Sequence, residues 1–574
     1  MSGRRSARVL APLAALLVVL PAALSACSTV PASSPTVRIT QAAVRPSEHV
    51  GIEPLPPEKG ATQEEIVRGF IEAAASSVPG HPVAREHLAQ PAADTWSDES
   101  GITVISPDYA IVTTDADTVE VTGNLIGTVD PRGVFAVAGA SDAFTRDFTL
   151  KQVKGEWRIT DPRDGLVILE PDFERLYDQR AAYFIDPTGQ RVVPDPRYLI
   201  SGEAQPTALV ERLLNGPSPG LAAGVTNPLG GVQLRRTVAV SGQAATVDLT
   251  GLSTDAAPVL SEVCAQLVWS LSQLGIQSVQ VLVDGDPIHL DGVPSEQSVD
   301  DWATFDPDAV SVNAVGHYLN HGTLRTATKG GPAPGPAGKS TYGISSAAVW
   351  ADPRTGALSY LAAVRVNSAH ATLFAGPYGG ALQPVLTAGS LTAPSVSATR
   401  SEAWVVKDGT TVLRVPSGAG PRPVSAPTLP GPILALKLSP DGVRAAVVVE
   451  GSTLYVGTVV RGQDGSVALR DFRQVAPSLS RVVDVAWQNS GQLLVLAGDS
   501  TQDRIVPYQV GIDGWGLTSV TTSGLPSQPT TIGAAPNRDP LVSAGGTIWQ
   551  LAGGTWVTLV RGGQLAGTAP FYPL

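Results

Sequence analysis

A serine flanked by glycines is the first arrangement in this sequence that could support covalent catalysis. Gly216, Ser218 and Gly220 match the G-x-S-x-G pattern of a nucleophile elbow, in which the amide after the serine stabilises an oxyanion. The residue after the serine is Pro219, which has no N–H to donate. The segment also follows a predicted helix, whereas the elbow follows a strand. We therefore expect no catalytic role for Ser218.

The segment of residues 329–340 ends in the letters GKS, as a phosphate-binding loop does. The first glycine of such a loop should precede Gly338 by five residues, where this sequence has Ala333. Pro334 and Pro336 remove two backbone amides that would otherwise cradle a phosphate. The composition predicts a flexible linker, and we expect no cofactor.

Histidines and aspartates at metal-ligand spacing are the third candidate chemistry. His317 and His321 have i, i+4 spacing, but their segment lacks helical character and the glutamate of a zinc protease. Two aspartate pairs could begin a calcium loop: Asp115 with Asp117, and Asp284 with Asp286. Neither pair is followed by the glycine and bidentate glutamate that such a loop requires. We predict surface or turn residues at these positions and no metal site.

The N-terminal cysteine, Cys27, stands where lipid chemistry would use a thiol. A basic start is followed by an apolar run from Val9 to Leu24 and by small residues, which predicts a secretory signal peptide over residues 1–26. The run is shorter than the roughly 20 apolar residues that a spanning helix needs. The residues Leu24 to Cys27 resemble a bacterial lipobox. The resemblance implies cleavage between Ala26 and Cys27, an S-diacylglycerol on the Cys27 thiol and an acyl chain, such as palmitate, on its amine. The alternative is an ordinary signal peptide followed by an incidental cysteine.

Composition and charge limit the structures and partners that we expect for the rest of the chain. Residues 27–60 are rich in Pro, Ser, Thr and Ala, which predicts a semi-extended tether. The 574 residues carry a net charge of −12 without a cluster of Lys or Arg, which argues against a nucleic-acid partner. The other of the two cysteines, Cys264, lies in an apolar helical stretch and is predicted to be buried and unreactive.

The first folded domain is predicted over residues 61–194. Thr62 and Glu65 form a capping-box pattern ahead of an amphipathic helix. Strand-like runs follow, and the last of them contains a hairpin that turns at Lys154 and Gly155. An α+β cone is expected, and the segment GEWRI is similar to one in nuclear-transport-factor-2-like domains.

The second domain is predicted over residues 195–309 as a small α/β module. Its pattern is helix, hairpin, helix and strand, with the segments LLNGP, ATVDLT, LVWSL and VQVLVDG. These segments resemble the GerMN domain of spore germination proteins and bacterial envelope lipoproteins. The resemblance implies an interaction module without established catalytic residues.

The third domain, residues 310–574, is predicted to be an all-β propeller of five or six blades. Strand clusters with turn signals recur about every 40 to 50 residues, which is the spacing of propeller blades. The turn at Ser439 to Gly442 resembles those of TolB- and WD-type blades. We expect the C-terminal segment APFYPL to add a strand to the first blade and close the ring. A β-sandwich is the alternative.

The order of leader, tether, cone, GerMN module and propeller resembles the actinobacterial LpqB-type lipoproteins. The most specific segments are residues 24–27, 155–166 and 193–199, together with the GerMN segments. The resemblance implies a lipoprotein held by its lipid on the outer face of the cell membrane. It would bind the extracytoplasmic domain of an MtrB-type sensor histidine kinase of the MtrAB system and affect the cell envelope, division or differentiation.

A second hypothesis is a sensor that binds a cell-wall glycan or peptide through exposed propeller tryptophans. The candidates are Trp350, Trp404, Trp487, Trp515 and Trp549. Fully buried indoles would remove this hypothesis, whereas a row of indoles along one face would favour it. The sequence motifs support no catalytic residues, so we expect a protein that is not an enzyme.

Overall fold

The computed structural model describes residues 54–451, 453–499, 504–560 and 563–574. The predicted signal peptide, Cys27 and residues 28–53 of the predicted tether lie outside the described residues.

The first domain packs short helices against a bent sheet. Its leading helix begins where predicted, because the Thr62 hydroxyl accepts from the Glu65 N–H and the Glu65 carboxylate accepts from the Thr62 N–H (3.3 and 2.7 Å). The elements are α1 Gln63–Ala74, α2 Pro82–Glu86, α3 Ala92–Thr95, β1 Ile102–Asp115, β2 Thr118–Val129, β3 Phe135–Val137, β4 Ala143–Val153, β5 Glu156–Ile159, β6 Leu166–Leu169 and α4 Glu170–Leu176. The sheet order is β5-β4-β2-β1-β6, and β3 pairs with β2. The predicted leading helix and the predicted hairpin of β4 and β5 are both present. The relation to nuclear-transport-factor-2-like cones stays a prediction.

The second domain begins with a long antiparallel hairpin and continues as a small α/β sheet. The elements are β7 Tyr177–Ile185, β8 Val192–Ile200, α5 Gln205–Leu214, β9 Gln233–Leu234, β10 Ala239–Ser241, β11 Ala244–Thr250, α6 Ala257–Ser272, β12 Ser278–Val283, β13 Asp286–Pro287 and β14 Glu296–Gln297. β11 and β12 are parallel, and α6 connects them, as this connection requires. The predicted division at residues 194 and 195 falls inside β8, because β7 and β8 share one buried core with α5 and α6.

Among the described residues the third domain forms six blades, five of them with four strands and one with three. Grouped by blade, the strands are β15 His317–Asn320, β16 Thr323–Thr326; β17 Ser346–Ala351, β18 Leu358–Val366, β19 Ala371–Pro377, β20 Gln383–Ala388; β21 Ser395–Ser397, β22 Arg400–Lys407, β23 Thr411–Pro416, β24 Arg422–Pro423; β25 Ile433–Leu438, β26 Arg444–Val449, β27 Thr453–Arg461, β28 Val467–Gln474; β29 Leu479–Asn489, β30 Gln492–Asp499, β31 Val506–Gly511, β32 Thr518–Ser519; and β33 Pro529–Gly533, β34 Leu541–Ala544, β35 Thr547–Ala552, β36 Thr555–Thr558. The last strand, β37 Thr568–Phe571, returns to the first of these groups. The blades are numbered 1 to 6 in chain order, so that blade 1 contains β15 and β16 and blade 6 begins at β33.

The C-terminal strand closes the ring as predicted. β37 pairs with β15 and becomes the innermost strand of blade 1. It lies between β33 and β17, so the innermost strands of neighbouring blades contact each other around the whole ring. The last residue is also held, since the Leu574 N–H donates to the Val349 carbonyl and the Ala351 N–H donates to the Leu574 carbonyl (3.1 and 2.8 Å).

The segment 329–340, predicted to be a flexible linker, is instead packed against blade 1. Ala333 and Ala337 are buried in its core, and Pro336–Lys339 forms a short 3-10 helix. The prediction was wrong because small apolar residues can pack closely against a sheet even in a segment rich in Gly and Pro.

Candidate functional site: a buried joint and a free propeller face

The second domain brings a pair of buried charges to the joint with the propeller. On β8, Arg197 donates from Nη2 to the Asp195 carboxylate (2.9 Å), and both side chains are almost fully buried. The same carboxylate accepts from the N–H and the hydroxyl of Ser218 (2.6 and 2.9 Å). Ser218, the serine of the G-x-S-x-G pattern, therefore fastens the loop after α5 to β8.

Blade 4 supplies the matching charges from the turn after β25, which holds Asp441, and from Arg444, the first residue of β26. Arg444 donates to the backbone carbonyl of Pro194 in the second domain and pairs with Asp441 (Nη1 to Oδ2, 3.4 Å). The Ser439 hydroxyl donates to Asp441, so the predicted Ser-Pro-Asp-Gly turn is held by its own side chains. The joint thus contains two carboxylates and two guanidinium groups out of contact with water.

Burial and ion pairing shift the pKa values of these two carboxyl groups in opposite directions. Burial raises the pKa of Asp195, but the ion pair with Arg197, the Ser218 N–H and the charge of Arg444 together leave that pKa below its usual value. For Asp441 burial outweighs the attraction of Arg444, and its pKa is raised. Burial of an ion pair stabilises a fold only when its remaining hydrogen bonds are satisfied. The Pro194 carbonyl and the Ser218 and Ser439 hydroxyls supply several of those bonds here, while Arg197 Nε has no partner among the described residues.

An aromatic cluster joins the first domain to blade 5. Trp515, in the turn after β31, lies edge-on to Phe135 and Phe173 of the first domain, with ring centroids 5.0 and 5.1 Å apart. Next to it, Asp513 accepts hydrogen bonds from the Tyr198 hydroxyl (3.0 Å) and from Gln179 Nε2 (2.9 Å). One propeller turn therefore contacts both of the preceding domains.

The chain segment that enters the propeller forms a third contact. The Asp308 carboxylate accepts from the N–H and the hydroxyl of Ser490, at the turn between β29 and β30 (2.7 and 2.9 Å). Arg191 donates to the carbonyls of Pro307 and Ala309 (3.1 and 2.8 Å). Burial, with the nearby charges of Asp306 and Asp441, raises the pKa of Asp308 to about 6 against the hydrogen bonds from Ser490.

These contacts leave the two faces of the propeller unequal. We call the face with turns 439–443 and 489–491 the covered face, because turn 439–443 is buried and turn 489–491 is half-buried around the buried Ser490. The opposite face carries the turns between the second and third strands of the blades. Those described, at residues 367–370, 408–410, 450–451 and 545–546, are mostly exposed. We call it the free face, and it is the surface of the propeller that the other two domains leave open.

The structure separates the two histidines predicted to be surface or turn residues. His321 is an exposed turn residue, as predicted. His317 is fully buried, with its Nδ1 next to the Val315 carbonyl and its Nε2 next to the Tyr378 hydroxyl, both at 2.8 Å. Burial lowers the pKa of His317 to about 4. The prediction was wrong for His317 because a neighbouring blade supplies its hydrogen-bond partner, which the local sequence does not show. No group of His, Cys, Asp and Glu in the described ranges could hold a metal ion.

The tryptophans proposed as ligand contacts do not form a row along one face. Trp404 and Trp487 are buried, and their indole N–H groups donate to Glu402 and to the Lys437 carbonyl. Trp549 donates to the Ala544 carbonyl, Trp350 borders the core shared by blades 2 and 3, and Trp515 belongs to the joint. Cys264 is buried as predicted, and burial raises the pKa of its thiol to about 12.

Sequence patterns did not reveal the residues of the joint. Asp195, Arg197 and Arg444 lie in or beside strands, where charged residues ordinarily face water. The sequence feature that could have indicated these residues is a charge inside an otherwise apolar run, as in VVPDPRYLI and VRAAVVV. In the part of the chain that the structure describes, no helix is long and apolar enough to cross a membrane.

The fold and this joint define a multi-domain protein in which a GerM-like module and a β-propeller are fastened to an α+β domain. Family models match each part: "Lipoprotein LpqB, N-terminal domain" over residues 56–174, "Sporulation and spore germination" over 181–289 and "Lipoprotein LpqB beta-propeller domain" over 322–573.

Relatives named Lipoprotein LpqB match nearly end to end. That of Mycolicibacterium smegmatis is 30% identical over 88% of this chain and 88% of its own. That of Mycobacterium bovis is 30% identical over 97% and 98%. That of Mycobacterium leprae is 31% identical over 80% and 82%. The chain belongs to the LpqB lipoprotein family.

Proposed function

We propose that this protein is anchored through a lipid on Cys27 to the outer face of the cell membrane. From there it binds the extracytoplasmic domain of an MtrB-type sensor histidine kinase and adjusts its signalling. The observation that carries the proposal is the fastened joint. Three domains held in one orientation present a fixed surface to a partner and lose little conformational entropy on binding. Confinement to the membrane raises the effective concentration of that surface against another membrane protein.

We propose binding rather than catalysis as the activity. Ser218 and His317, two residues that the sequence motifs singled out, are engaged in internal hydrogen bonds. The raised pKa of Cys264 keeps its thiol protonated and therefore a poor nucleophile.

The free face of the propeller is the contact surface that we favour. Two large apolar side chains on this side are more than half exposed, Val366 at 57% and Leu434 at 53%. We propose that these two side chains, on blades 2 and 4, are apolar contacts within a largely polar interface.

The test is a binding measurement with the purified kinase domain immobilised at controlled density. We expect saturable binding of the full chain, weakened at least tenfold by Val366→Glu and Leu434→Glu together. The matched control is Val312→Glu, because Val312 is 86% exposed but lies in the segment before the propeller. Undetectable binding of the unaltered protein at high concentration would overturn the kinase partnership, and equal weakening by the control would overturn the choice of face.

The glycan-binding alternative is not favoured by the positions of the tryptophans. Trp404 and Trp487 are buried, Trp350 and Trp549 are half-buried against blade cores, and Trp515 lies in the joint. We therefore propose no second function.

A further inference from the structure

Part of a sheet edge in the first domain has no paired strand, although α1 and α4 both contact β1. β6 pairs with β1 only at Ile102–Ile105, after which the chain turns into α4. Beyond a bulge, residues 109–113 of β1 pair with β2 on one side only, within the part of the chain that the structure describes. We call residues 109–113 the β1 edge.

Alternate residues of the β1 edge direct their backbone N–H and C=O groups away from β2. The Thr113 N–H donates to the Glu64 carboxylate on α1 (3.0 Å), so it faces away from β2. Antiparallel ladders alternate inward and outward residues, which places the N–H and C=O groups of Ile111 and Tyr109 on the same outer side. No hydrogen bond from another described residue reaches those groups.

Glu64 occupies the position that a neighbouring strand would take at Thr113. Its carboxylate oxygen accepts from both the N–H and the hydroxyl of Thr113 (3.0 and 3.1 Å). A backbone carbonyl of an added strand would accept from the same N–H. Exposed strand edges are templates for strand addition, and one carboxylate protects only one of their donors.

The side chains around the β1 edge indicate the charge of the strand that would add there. Val112 is 52% exposed, and the residues next to it across the sheet are Glu120 on β2 and then Asp147 on β4. A strand added beyond β1 would extend this row by one position. A lysine or arginine there would lie beside Val112, and its long side chain would extend across Val112 toward the carboxylate of Glu120, which attracts it. Asp115 and Asp117 add negative charge at the end of the hairpin.

We propose that the β1 edge is a docking site for an extended, Lys- or Arg-bearing segment of a partner protein, which adds to the sheet as an antiparallel or parallel strand. The backbone groups of Tyr109 and Ile111 supply the affinity, and the row of Val112, Glu120 and Asp147 selects a basic side chain. This site lies on the first domain and does not involve the free face of the propeller, so it does not depend on the kinase partnership.

The first test selects random twelve-residue peptides displayed on phage against the purified full chain. We expect enriched peptides to alternate β-branched residues with Lys or Arg. Binding of the synthesised peptides should fall at least tenfold in Ile111→Pro, which removes one outward N–H and no bond of the β1–β2 ladder. The matched control Ile111→Ala keeps that N–H and should retain binding. Selected peptides that bind Ile111→Pro as well as the unaltered chain would overturn the proposal.

A second measurement does not depend on the proline variant folding. Hydrogen exchange of the unaltered chain should show the amides of Tyr109 and Ile111 slowing at least tenfold when a selected peptide is added. The charge variant Glu120→Lys should weaken the peptide at least fivefold. Unchanged exchange at these two amides, or equal binding by Glu120→Lys, would contradict strand addition or its charge selectivity respectively.

Discussion

Two turns of the propeller carry the same kind of Asp–Arg pair in opposite surroundings. In blade 4, Asp441 and Arg444 are buried, and the arginine reaches the Pro194 carbonyl of the second domain. In blade 2, the turn between β17 and β18 holds Asp352 and Arg354, whose closest atoms are 3.9 Å apart, and the arginine is 89% exposed. The first pair contributes to a joint between domains, while the second is a solvated surface pair. The difference shows that the role of a charged turn is set by what covers it.

The strongest way to test this contrast is to remove each arginine in turn. Arg444→Ala would leave Asp441 without a cation and the Pro194 carbonyl without its donor, which should lower the free energy of unfolding by about 3–5 kcal/mol. Arg354→Ala is the control and should change it by less than about 0.5 kcal/mol. Urea unfolding measures both values, and similar losses in the two variants would refute the distinction.

The second prediction compares the contribution of the aromatic contact to stability with that of the buried charges. Trp515→Ala removes the ring that lies against Phe135 and Phe173, and we expect a loss of about 2–4 kcal/mol. The same variant should open the joint to limited proteolysis near residue 515. Trp549→Ala, which alters a blade without touching the first domain, is the comparison. Equal protease sensitivity in both variants would contradict an interdomain role.

The third prediction concerns pH at the covered face. Because the pKa of Asp308 is raised in the folded state to about 6, this residue contributes stability that is full below about pH 4 and lost as the pH rises through 6. Asp308→Asn should remove that component, which amounts to roughly 3 kcal/mol at most. Thermal unfolding between pH 4.5 and 7.5 measures the slope. A slope that is the same in the variant would show that Asp308 does not titrate at the joint.

The smallest effect is expected at the other turn of the covered face. Ser490→Ala removes a hydroxyl that donates its single proton to Asp308, with the Pro307 carbonyl as a second acceptor within reach, and we expect a loss of about 1 kcal/mol. Thr355→Ala in the exposed turn of blade 2 should be nearly neutral. Urea unfolding measures both values. An unchanged free energy of unfolding in Ser490→Ala would indicate that water, and not this hydroxyl, satisfies Asp308.

Local patterns predicted much of the architecture. The capping box at Thr62, the hairpin at Lys154 and Gly155 and the Ser-Pro-Asp-Gly turn at 439–442 are present because each depends on residues close together in the chain. The period of the strand clusters likewise predicted the blades and the closing C-terminal strand.

The joint could not be predicted, since its partners are far apart in sequence. Arg444 lies about 250 residues from the carbonyl it binds, and Trp515 contacts a domain that ends before residue 177. The exposed fraction of a turn and the burial of His317 depend on such distant neighbours. A hydrophobic period shows which face of an element is buried, but not which other domain covers a polar turn.

The most direct test of the fastened joint is whether the three domains open together. Hydrogen exchange along a urea series should show the amides of α1, α6 and β26 losing protection at the same urea concentration, as in a single cooperative unit. In Arg444→Ala the three midpoints should separate. Separate midpoints already present in the unaltered chain would contradict the fastened joint, and with it the fixed surface on which the proposed partnership rests.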